Sequence, residues 1–181
     1  MRLVTDINDV ERLAAENEDQ NWRFRCFVKG CDLGLEELDA IVHKLNDTVS
    51  EKIDCQSCGN CCRLMHPILK EKDILRLAAR LSMSTSKFEK EYLMKDEEEN
   101  GLTFRTTPCP FLSDNSCTVY SARPEDCRSF PHLHKKEFFF RIGGAFANCS
   151  VCPIVYNVYE LLKDELHKLE VESFFEEYSY K

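Results

Sequence analysis

The sequence lacks any long apolar run. Its 181 residues contain no window of about 18 consecutive apolar positions, which argues against a transmembrane helix. The first twenty residues place Arg2, Asp6, Asp9, Glu11 and Arg12 where a secretory signal needs an uninterrupted apolar stretch. We therefore expect a cytoplasmic protein that does not associate with a membrane.

Basic residues are also scarce relative to acidic ones. The chain has 24 Lys and Arg against 32 Asp and Glu, which gives a formal net charge of -8. Nonspecific binding to nucleic acids and to anionic membranes draws on a basic protein surface. The charge balance therefore predicts that neither is a partner.

Familiar catalytic signatures are missing as well. The sequence contains no GxGxxG after a predicted strand, no GxxxxGK[ST], and no HxE, HExxH or GxSxG. The pair Gly143 and Gly144 is too short to indicate a nucleotide site. A thiol nucleophile with a histidine base stays an alternative, but no single cysteine is distinguished from the others. No catalytic residue is therefore assigned, and whether the protein is an enzyme stays open.

What the sequence has in abundance is cysteine. The eleven cysteines are an odd number, so complete internal pairing is impossible. In a reducing compartment such spacings favour metal or redox chemistry over disulfides. Nine cysteines lie in three groups within segments of little secondary-structure signal, and they are the candidate metal ligands: Cys55, Cys58, Cys61, Cys62, Cys109, Cys117, Cys127, Cys149 and Cys152.

The adjacent pair Cys61 and Cys62 bears on the number of metal centres. If CQSCGNCC is a continuous helix, Cys55, Cys58 and Cys62 share one face and Cys61 points about 100° away. The alternative is a turn at Gly59, with Cys55 and Cys58 on one ion. Two centres, or one polynuclear centre reached from two sides, both fit this pattern. Zinc and iron–sulfur clusters both accept all-thiolate ligands, so the donor type does not choose between them.

Other residues near the clusters have predicted roles in support of the thiolates. Four arginines lie close to the cysteines in sequence and could donate to the sulfurs, offsetting their negative charge: Arg63, Arg105, Arg123 and Arg128. We interpret three nearby histidines as surface or hydrogen-bonding residues rather than ligands: His66, His132 and His134. Cys26 alternates with aromatic residues and is interpreted as a core residue, whereas Cys31 is undecided between the core and a site.

Hydrophobic periodicity predicts an α+β fold that is mainly α, with a few short strands. Helices are predicted over TDINDVERLAAENE, 35–53, KEKDILRLAARL, SMSTSKFEKEYLM and PIVYNVYELLKDELHKLE. Strands are predicted at WRFRCFVK, LTFRTT and KEFFFRIGG. We expect an N-terminal extension over 1–51, a cysteine-cluster domain over 52–153, and a C-terminal helix over 154–181 that belongs to the same domain.

Three blocks of sequence carry a resemblance to a known family. They are CQSCGNCCR, KDILRLAARLSMSTSKFEKEYL and CPFLSDNSCTVYSARPEDCRSFP. In order and spacing these blocks resemble the YkgJ-type cysteine-cluster family, the zinc- or iron-chelating domain with a CxxCxxCC motif. The resemblance covers residues 52 to 153. It implies metal chelation through the seven cysteines from Cys55 to Cys127, with Cys149 or Cys152 completing the set.

The family also suggests a second class of function. A similar domain occurs in a bacterial flagellin lysine methylase that carries an iron–sulfur centre. The leading prediction is a cytosolic protein that chelates zinc or iron, as single ions or as an iron–sulfur cluster such as [4Fe-4S], at one or two centres. The alternative is an iron–sulfur redox or methyl-transfer enzyme or enzyme subunit. A third prediction is an adaptor that binds a protein partner through acidic helices around a structural metal.

Overall fold

The structure, a computed structural model, describes residues 3–97 and 100–178, with side chains described as far as residue 169. Within these residues the chain forms ten α-helices and two small antiparallel sheets, which confirms the predicted mainly α, α+β class. None of the described helices is both long and apolar enough to cross a membrane.

The elements follow one another in the chain as short helices and very short strands. The helices are α1 (Ile7–Glu16), α2 (Glu18–Gly30), α3 (Leu35–Ser50), α4 (Cys55–Cys58), α5 (Asn60–Leu64), α6 (Glu71–Arg80), α7 (Thr85–Tyr92), α8 (Glu125–Ser129), α9 (Phe138–Ala147) and α10 (Pro153–Tyr178). The strands are β1 (Leu93–Lys95), β2 (Leu102–Phe104), β3 (Leu112–Ser113) and β4 (Ser116–Cys117). A 3-10 turn covers Tyr120–Ala122.

The chain divides into two compact units. Residues 1–53 and 131–181 form one, here called the helical unit, and residues 54–130 form the other, here called the cysteine unit. The helical unit is therefore built from both ends of the chain, and the cysteine unit is an uninterrupted segment between them.

Amphipathic sequences account for the helices of the helical unit. Asp6 caps α1 by accepting hydrogen bonds from the backbone N–H groups of Asn8 and Asp9. Helix α3 packs along α10, and α9 packs against α2 and α3. The buried side chains of these helices include Val10, Phe24, Val28, Leu38, Val42, Phe138, Ile142, Tyr159 and Leu162.

The buried carboxylate of Asp39 on α3 caps the start of α9. It accepts hydrogen bonds from the backbone nitrogens of Glu137 at 2.7 Å and Phe138 at 2.8 Å. The first N–H groups of a helix have no intrahelical acceptor. Replacing Asp39 with alanine is expected to lower the free energy of unfolding by about 1–2 kcal/mol. Urea denaturation measures the change, and a loss no larger than that of the exposed Asp9→Ala variant would contradict the prediction.

Two of the three predicted strands are wrong. WRFRCFVK lies within α2, and the apolar part of KEFFFRIGG lies within α9. Phe24 and Val28 are buried four residues apart on α2, so packing follows the helical period and not the alternation seen in the sequence. Cys26 lies between them on the opposite face of the helix and is exposed. The interpretation of Cys26 as a core residue is therefore also wrong.

The cysteine unit has an apolar core of its own. Strand β1 pairs with β2 in antiparallel register, with Leu93 opposite Phe104, and the strand predicted at LTFRTT is confirmed over Leu102–Phe104. Phe88, Tyr92, Phe104 and Phe111 pack ring against ring, with centroids between 5.1 and 6.3 Å apart. The side chains of two candidate ligands pack against this core: Cys109 and Cys117. The cysteine-bearing loops therefore rest on a packed hydrophobic scaffold.

Candidate metal centre

CQSCGNCC forms two short helices joined by a left-handed turn. Asp54 caps α4 by accepting a hydrogen bond from the backbone N–H of Gln56 at 2.9 Å. Gly59 then adopts a φ of 63°, in the left-handed region that favours glycine, and α5 begins at the next residue. Of the two alternatives left open by the sequence, the structure has the turn and not the continuous helix.

Arg63 connects this turn to the β3–β4 hairpin. Its Nη1 atom donates to the carbonyl oxygen of Cys58 at 3.0 Å. Its Nη2 atom donates to the carbonyl oxygen of Asp114 at 2.9 Å and to Oδ1 of Asn115. A Cβ atom built on Gly59 would lie 2.8 Å from the carbonyl oxygen of Asn115, so the hairpin closes directly over the turn.

The other arginines near the cysteines also donate to main-chain carbonyls. Arg105 donates to the carbonyl oxygen of Leu93 at 2.5 Å, and Arg128 donates to that of Arg123 at 3.0 Å. The predicted effect of these arginines on the cysteines is electrostatic at two of the thiols. The positive charge of Arg123 lowers the pKa of Cys55 and Cys117, although burial, the larger effect, raises both.

Cys109 is held against the CxxCxxCC segment by the backbone. Its N–H donates to the carbonyl oxygen of Cys62 at 2.8 Å. The hairpin that follows places Leu112 of β3 opposite Cys117 of β4. Thr118, the next residue, donates its N–H to the carbonyl oxygen of Phe111 at 2.9 Å. The turn, the loop and the hairpin thus contact one another within the cysteine unit.

Cys127 lies on α8, whose first residue is fixed by a buried carboxylate. Asp73 is 2% exposed, and its Oδ1 accepts hydrogen bonds from Glu125 N at 3.0 Å and from Nη2 of Arg76 at 2.6 Å. Its Oδ2 accepts from the N–H of Lys70 at 3.0 Å. Asp73 therefore joins the start of α6 to the helix that carries Cys127.

The thiols of the cysteine unit differ in acidity. A hydrogen bond with Cys61 is the main cause that lowers the pKa of Cys62 to about 7, against the effect of burial and with the help of the positive charge of Arg63. Burial raises the pKa of Cys109 to about 11 and that of Cys127 to about 12. Buried thiols of this kind become stable thiolates when a cation replaces the proton.

The thiols also interact with one another through their charges. After burial, the charge of Cys62 is the leading Coulombic cause that raises the pKa of Cys127, and Cys109 and Cys117 contribute as well. Both Cys62 and Cys117 raise the pKa of Cys109, and Cys62 raises that of Cys117. The pKa of Cys55 is raised by Cys58 and Cys62 in the same way.

Two candidate ligands lie in the other unit. Cys149 and Cys152 lie in the short segment between α9 and α10 in the helical unit, and both are buried. The Sγ atom of Cys149 lies 3.4 Å from the carbonyl oxygen of Ala145, and burial raises its pKa to about 12. The structure thus groups seven of the nine candidate cysteines in the cysteine unit and places these two in the helical unit.

The donor set of the cysteine unit fits zinc or iron by its chemistry. None of the eleven cysteines, all of which lie among the described residues, forms a disulfide. Within residues 3–97 and 100–178, no group of three or more His, Cys, Asp or Glu side chains is already arranged to hold a metal ion. Cysteine ligands bind a metal ion as thiolates and release their protons when they do so. Clustered soft thiolates suit zinc and iron over magnesium or calcium.

Some residues that build this region were missed in the sequence. Asp73 is the third residue of α6 and accepts the N–H of Lys70, an arrangement typical of helix N-termini that the sequence pattern could have revealed. Its bond to Glu125 and the contact of Asn115 with Gly59 join residues about fifty positions apart, and no local pattern indicates them. His66 pairs with Thr107 at 2.9 Å, as expected of a hydrogen-bonding histidine.

Comparison with known proteins agrees with the cysteine pattern. No solved structure matches the chain. The CxxCxxCC family model, described as "Putative zinc- or iron-chelating domain", matches residues 54–144. This span is half of the chain, contains the seven cysteines of the cysteine unit and ends before Cys149. The resemblance inferred from the sequence is therefore confirmed, and the chain belongs to the CxxCxxCC family.

Proposed function

We propose that this chain is a cytosolic metal-binding protein that holds zinc or iron through the thiolates of the cysteine unit. The observation that carries the proposal is that seven cysteines from four separate segments, none of them in a disulfide, lie in one unit and that several of their thiols interact electrostatically. This many cysteines outside disulfides are typical of a reducing compartment. Closed shells of cysteine ligands are typical of structural zinc and of iron–sulfur clusters.

Metal binding is expected to be coupled to the stability of the cysteine unit. Burial raises the pKa of several of its thiols, so holding them together as thiolates without a cation is unfavourable. A bound cation compensates the negative charge and releases the thiol protons. We therefore expect the metal to stabilise the loops that connect the apolar core to the cysteines.

The first experiment is to quantify the metals in protein purified without oxygen. Iron, zinc and acid-labile sulfide are measured per chain on the same sample. We expect at least one zinc or iron per chain. Iron with matching sulfide would support the iron–sulfur form, such as [4Fe-4S], whereas zinc without sulfide would support thiolate-bound zinc. A chain that holds neither metal after anaerobic reconstitution with both would refute the proposal.

A ligand variant and a matched cysteine control test where the metal binds. Cys127→Ser is expected to weaken metal binding by more than about tenfold, since losing even an outer-shell partner of a metal ligand costs that much. Cys26→Ser changes an exposed cysteine of α2 in the helical unit and should leave metal binding unchanged. Competition with a chelator measures both affinities, and equal affinities in the two variants would argue against the assignment.

The role of the later cysteines is a separate part of the proposal. The family resemblance supports one of Cys149 and Cys152 as an additional ligand. If one of them binds the metal, its replacement by serine should lower the metal content and the other replacement should not. Full metal content in both Cys149→Ser and Cys152→Ser would limit the ligands to the cysteine unit.

A further inference from the structure

We propose that the exposed face shared by α2 and α9 binds an acidic, amphipathic helix of a partner protein. This face, here called the cationic-aromatic face, consists of three residues from each helix: Trp22, Arg25, Lys29, Phe139, Phe140 and Phe146. Both helices belong to the helical unit, and none of the six residues is a candidate metal ligand. The inference therefore adds a site for a protein partner to the proposed metal binding.

Helices α2 and α9 run antiparallel along this face. The ring of Trp22 packs edge to face with that of Phe146, with centroids 6.2 Å apart. About two turns further along α2, the Nζ atom of Lys29 lies 3.9 Å from the ring centroid of Phe139. The contacts thus pair the end of α9 with the earlier part of α2, and the start of α9 with the last turn of α2. The face is about 10 Å long.

Large apolar side chains are exposed at both ends of the face. Trp22 is 51% exposed, and Phe140 is 65% exposed, the highest value among the exposed large apolar side chains of the described residues. Aromatic residues and arginine are enriched in protein–protein interfaces, and tryptophan and arginine are frequent among the residues that contribute most to binding. The composition of the face is therefore typical of an interface.

The positive charges of the face have no acidic partner. Within the described residues, neither Arg25 nor Lys29 pairs with a carboxylate, and the buried Nε atom of Arg25 has no hydrogen-bond partner. The Cζ atom of Arg25 lies 4.7 Å from the ring centroid of Trp22. A Cβ atom built on Gly143 would lie 3.7 Å from Nη2 of Arg25, so the guanidinium lies over the backbone of α9. Two uncompensated charges beside exposed rings complement a partner that carries carboxylates.

The spacing of the two cations matches carboxylates on a helix. Arg25 and Lys29 are four residues apart on α2, about 6 Å along the helix axis. Two glutamates four residues apart on a partner helix have the same separation. Apolar residues beside them would cover Trp22 and Phe140. An amphipathic helix that packs its apolar side onto an exposed hydrophobic surface is a recurring mode of peptide recognition.

Charge favours this partner over two others. A symmetric contact with a second copy of the chain would place the face against itself and bring Arg25 and Lys29 close to their own copies, which is unfavourable. Nucleic acids are bound through many phosphate contacts, whereas this face has two cations in a chain of net charge -8. A helix with a few spaced carboxylates and apolar side chains matches the face in both charge and composition.

Trp22 reports on binding directly, because it is the only tryptophan of the chain. The full chain, purified without oxygen, is titrated with a synthetic peptide of alanine, leucine and glutamate that has a glutamate at every fourth position. We expect the fluorescence emission of Trp22 to shift to shorter wavelength as its ring is covered, with saturation below about 1 mM peptide. A peptide with lysine in place of each glutamate should cause no shift.

Charge reversal and a matched control test the assignment of the face. Arg25→Glu/Lys29→Glu should weaken binding of the acidic peptide by at least about tenfold, since like charges then face one another. Arg23→Glu/Lys44→Glu makes the same change in net charge at two exposed cations outside the face, and it should bind the peptide as the wild type does. Circular dichroism and urea denaturation verify that both proteins fold.

A second variant is independent of charge. Phe140→Ala removes a ring that is 65% exposed, so it should weaken peptide binding and leave the urea midpoint unchanged. Unchanged peptide affinity in this variant would exclude Phe140 from the site.

Several outcomes would overturn the inference. They are equal affinities of the two double variants, an equal shift with the lysine peptide, and no shift up to about 1 mM acidic peptide. A shift caused by a single-stranded oligothymidine and not by the acidic peptide would identify nucleic acid as the ligand. Concentration-dependent self-association that covers Trp22 and is not displaced by the peptide would identify a second copy of the chain.

Discussion

Replacing Gly59 with alanine is expected to lower the free energy of unfolding by about 2–4 kcal/mol, through two independent effects. The first is the left-handed backbone, with a φ of 63°, which costs a residue with a Cβ atom about 1–2 kcal/mol. The second is a steric clash, because the new Cβ atom would lie 2.8 Å from the carbonyl oxygen of Asn115. That oxygen belongs to the backbone and cannot rotate away.

The same change is expected to weaken metal binding. Moving the hairpin away from Gly59 also breaks the bonds of Arg63 to Asp114 and Asn115, so Cys117 shifts relative to Cys62. Urea denaturation measures the stability of the metal-free protein, and chelator competition measures its zinc affinity. Both are expected to decrease together.

Two further variants separate the causes. Gly144→Ala adds a Cβ atom in α9 where no atom beyond the adjoining helix backbone lies within 4 Å, and it should be neutral or stabilising by up to about 1 kcal/mol. Gly59→Asn introduces the same clash between the Cβ atom and the carbonyl oxygen of Asn115, but asparagine adopts the left-handed backbone at lower cost than alanine. We expect Gly59→Asn to recover part of the stability. A Gly59→Ala protein as stable as the wild type would show that the hairpin does not close over this turn.

Replacing Asp73 with alanine is expected to cost about 3–4 kcal/mol in the free energy of unfolding, among the largest effects of a single polar substitution. The carboxylate is 2% exposed and accepts hydrogen bonds from Arg76, Lys70 and Glu125. Its removal leaves a partly buried guanidinium without its counter-charge and two backbone N–H groups without acceptors. Such uncompensated groups cost more than the bonds themselves contribute.

Graded variants make this expectation specific. Asp73→Asn keeps the shape and some of the acceptors but loses the charge opposite Arg76, so an intermediate loss is expected. Asp9→Ala removes an exposed carboxylate that pairs with Arg12 on α1, and it should change stability by less than about 1 kcal/mol. If Asp73→Ala unfolds at the same urea concentration as Asp9→Ala, the interpretation of Asp73 as a buried anchor is wrong.

Metal affinity provides a second measurement on Asp73. Because the carboxylate holds Glu125 at the start of α8, its loss should displace Cys127 and weaken zinc binding as well as stability. The Asp39→Ala variant removes a buried helix cap in the helical unit, and we expect it to lower stability alone. Equal zinc affinities for both variants would show that α8 is positioned by other contacts.

Much of this protein is determined by short patterns in its sequence. Helices α1, α3, α6, α7 and α10 follow from apolar residues at helical spacing and from caps such as Asp6 and Ser84. The CxxCxxCC spacing and the later cysteines indicate the candidate metal-binding thiols and the family to which the chain belongs. These features are local, since each depends on residues within a few turns of chain.

Only the tertiary structure decided the features that join distant segments. The alternation in WRFRCFVK is compatible with a strand by period, but packing of Phe24 and Val28 in the helical unit made it a helix and left Cys26 exposed. The turn at Gly59 under Asn115 and the anchoring of Glu125 by Asp73 each join residues about fifty positions apart. Such contacts depend on the packed core that brings the segments together, and no local residue pattern encodes them.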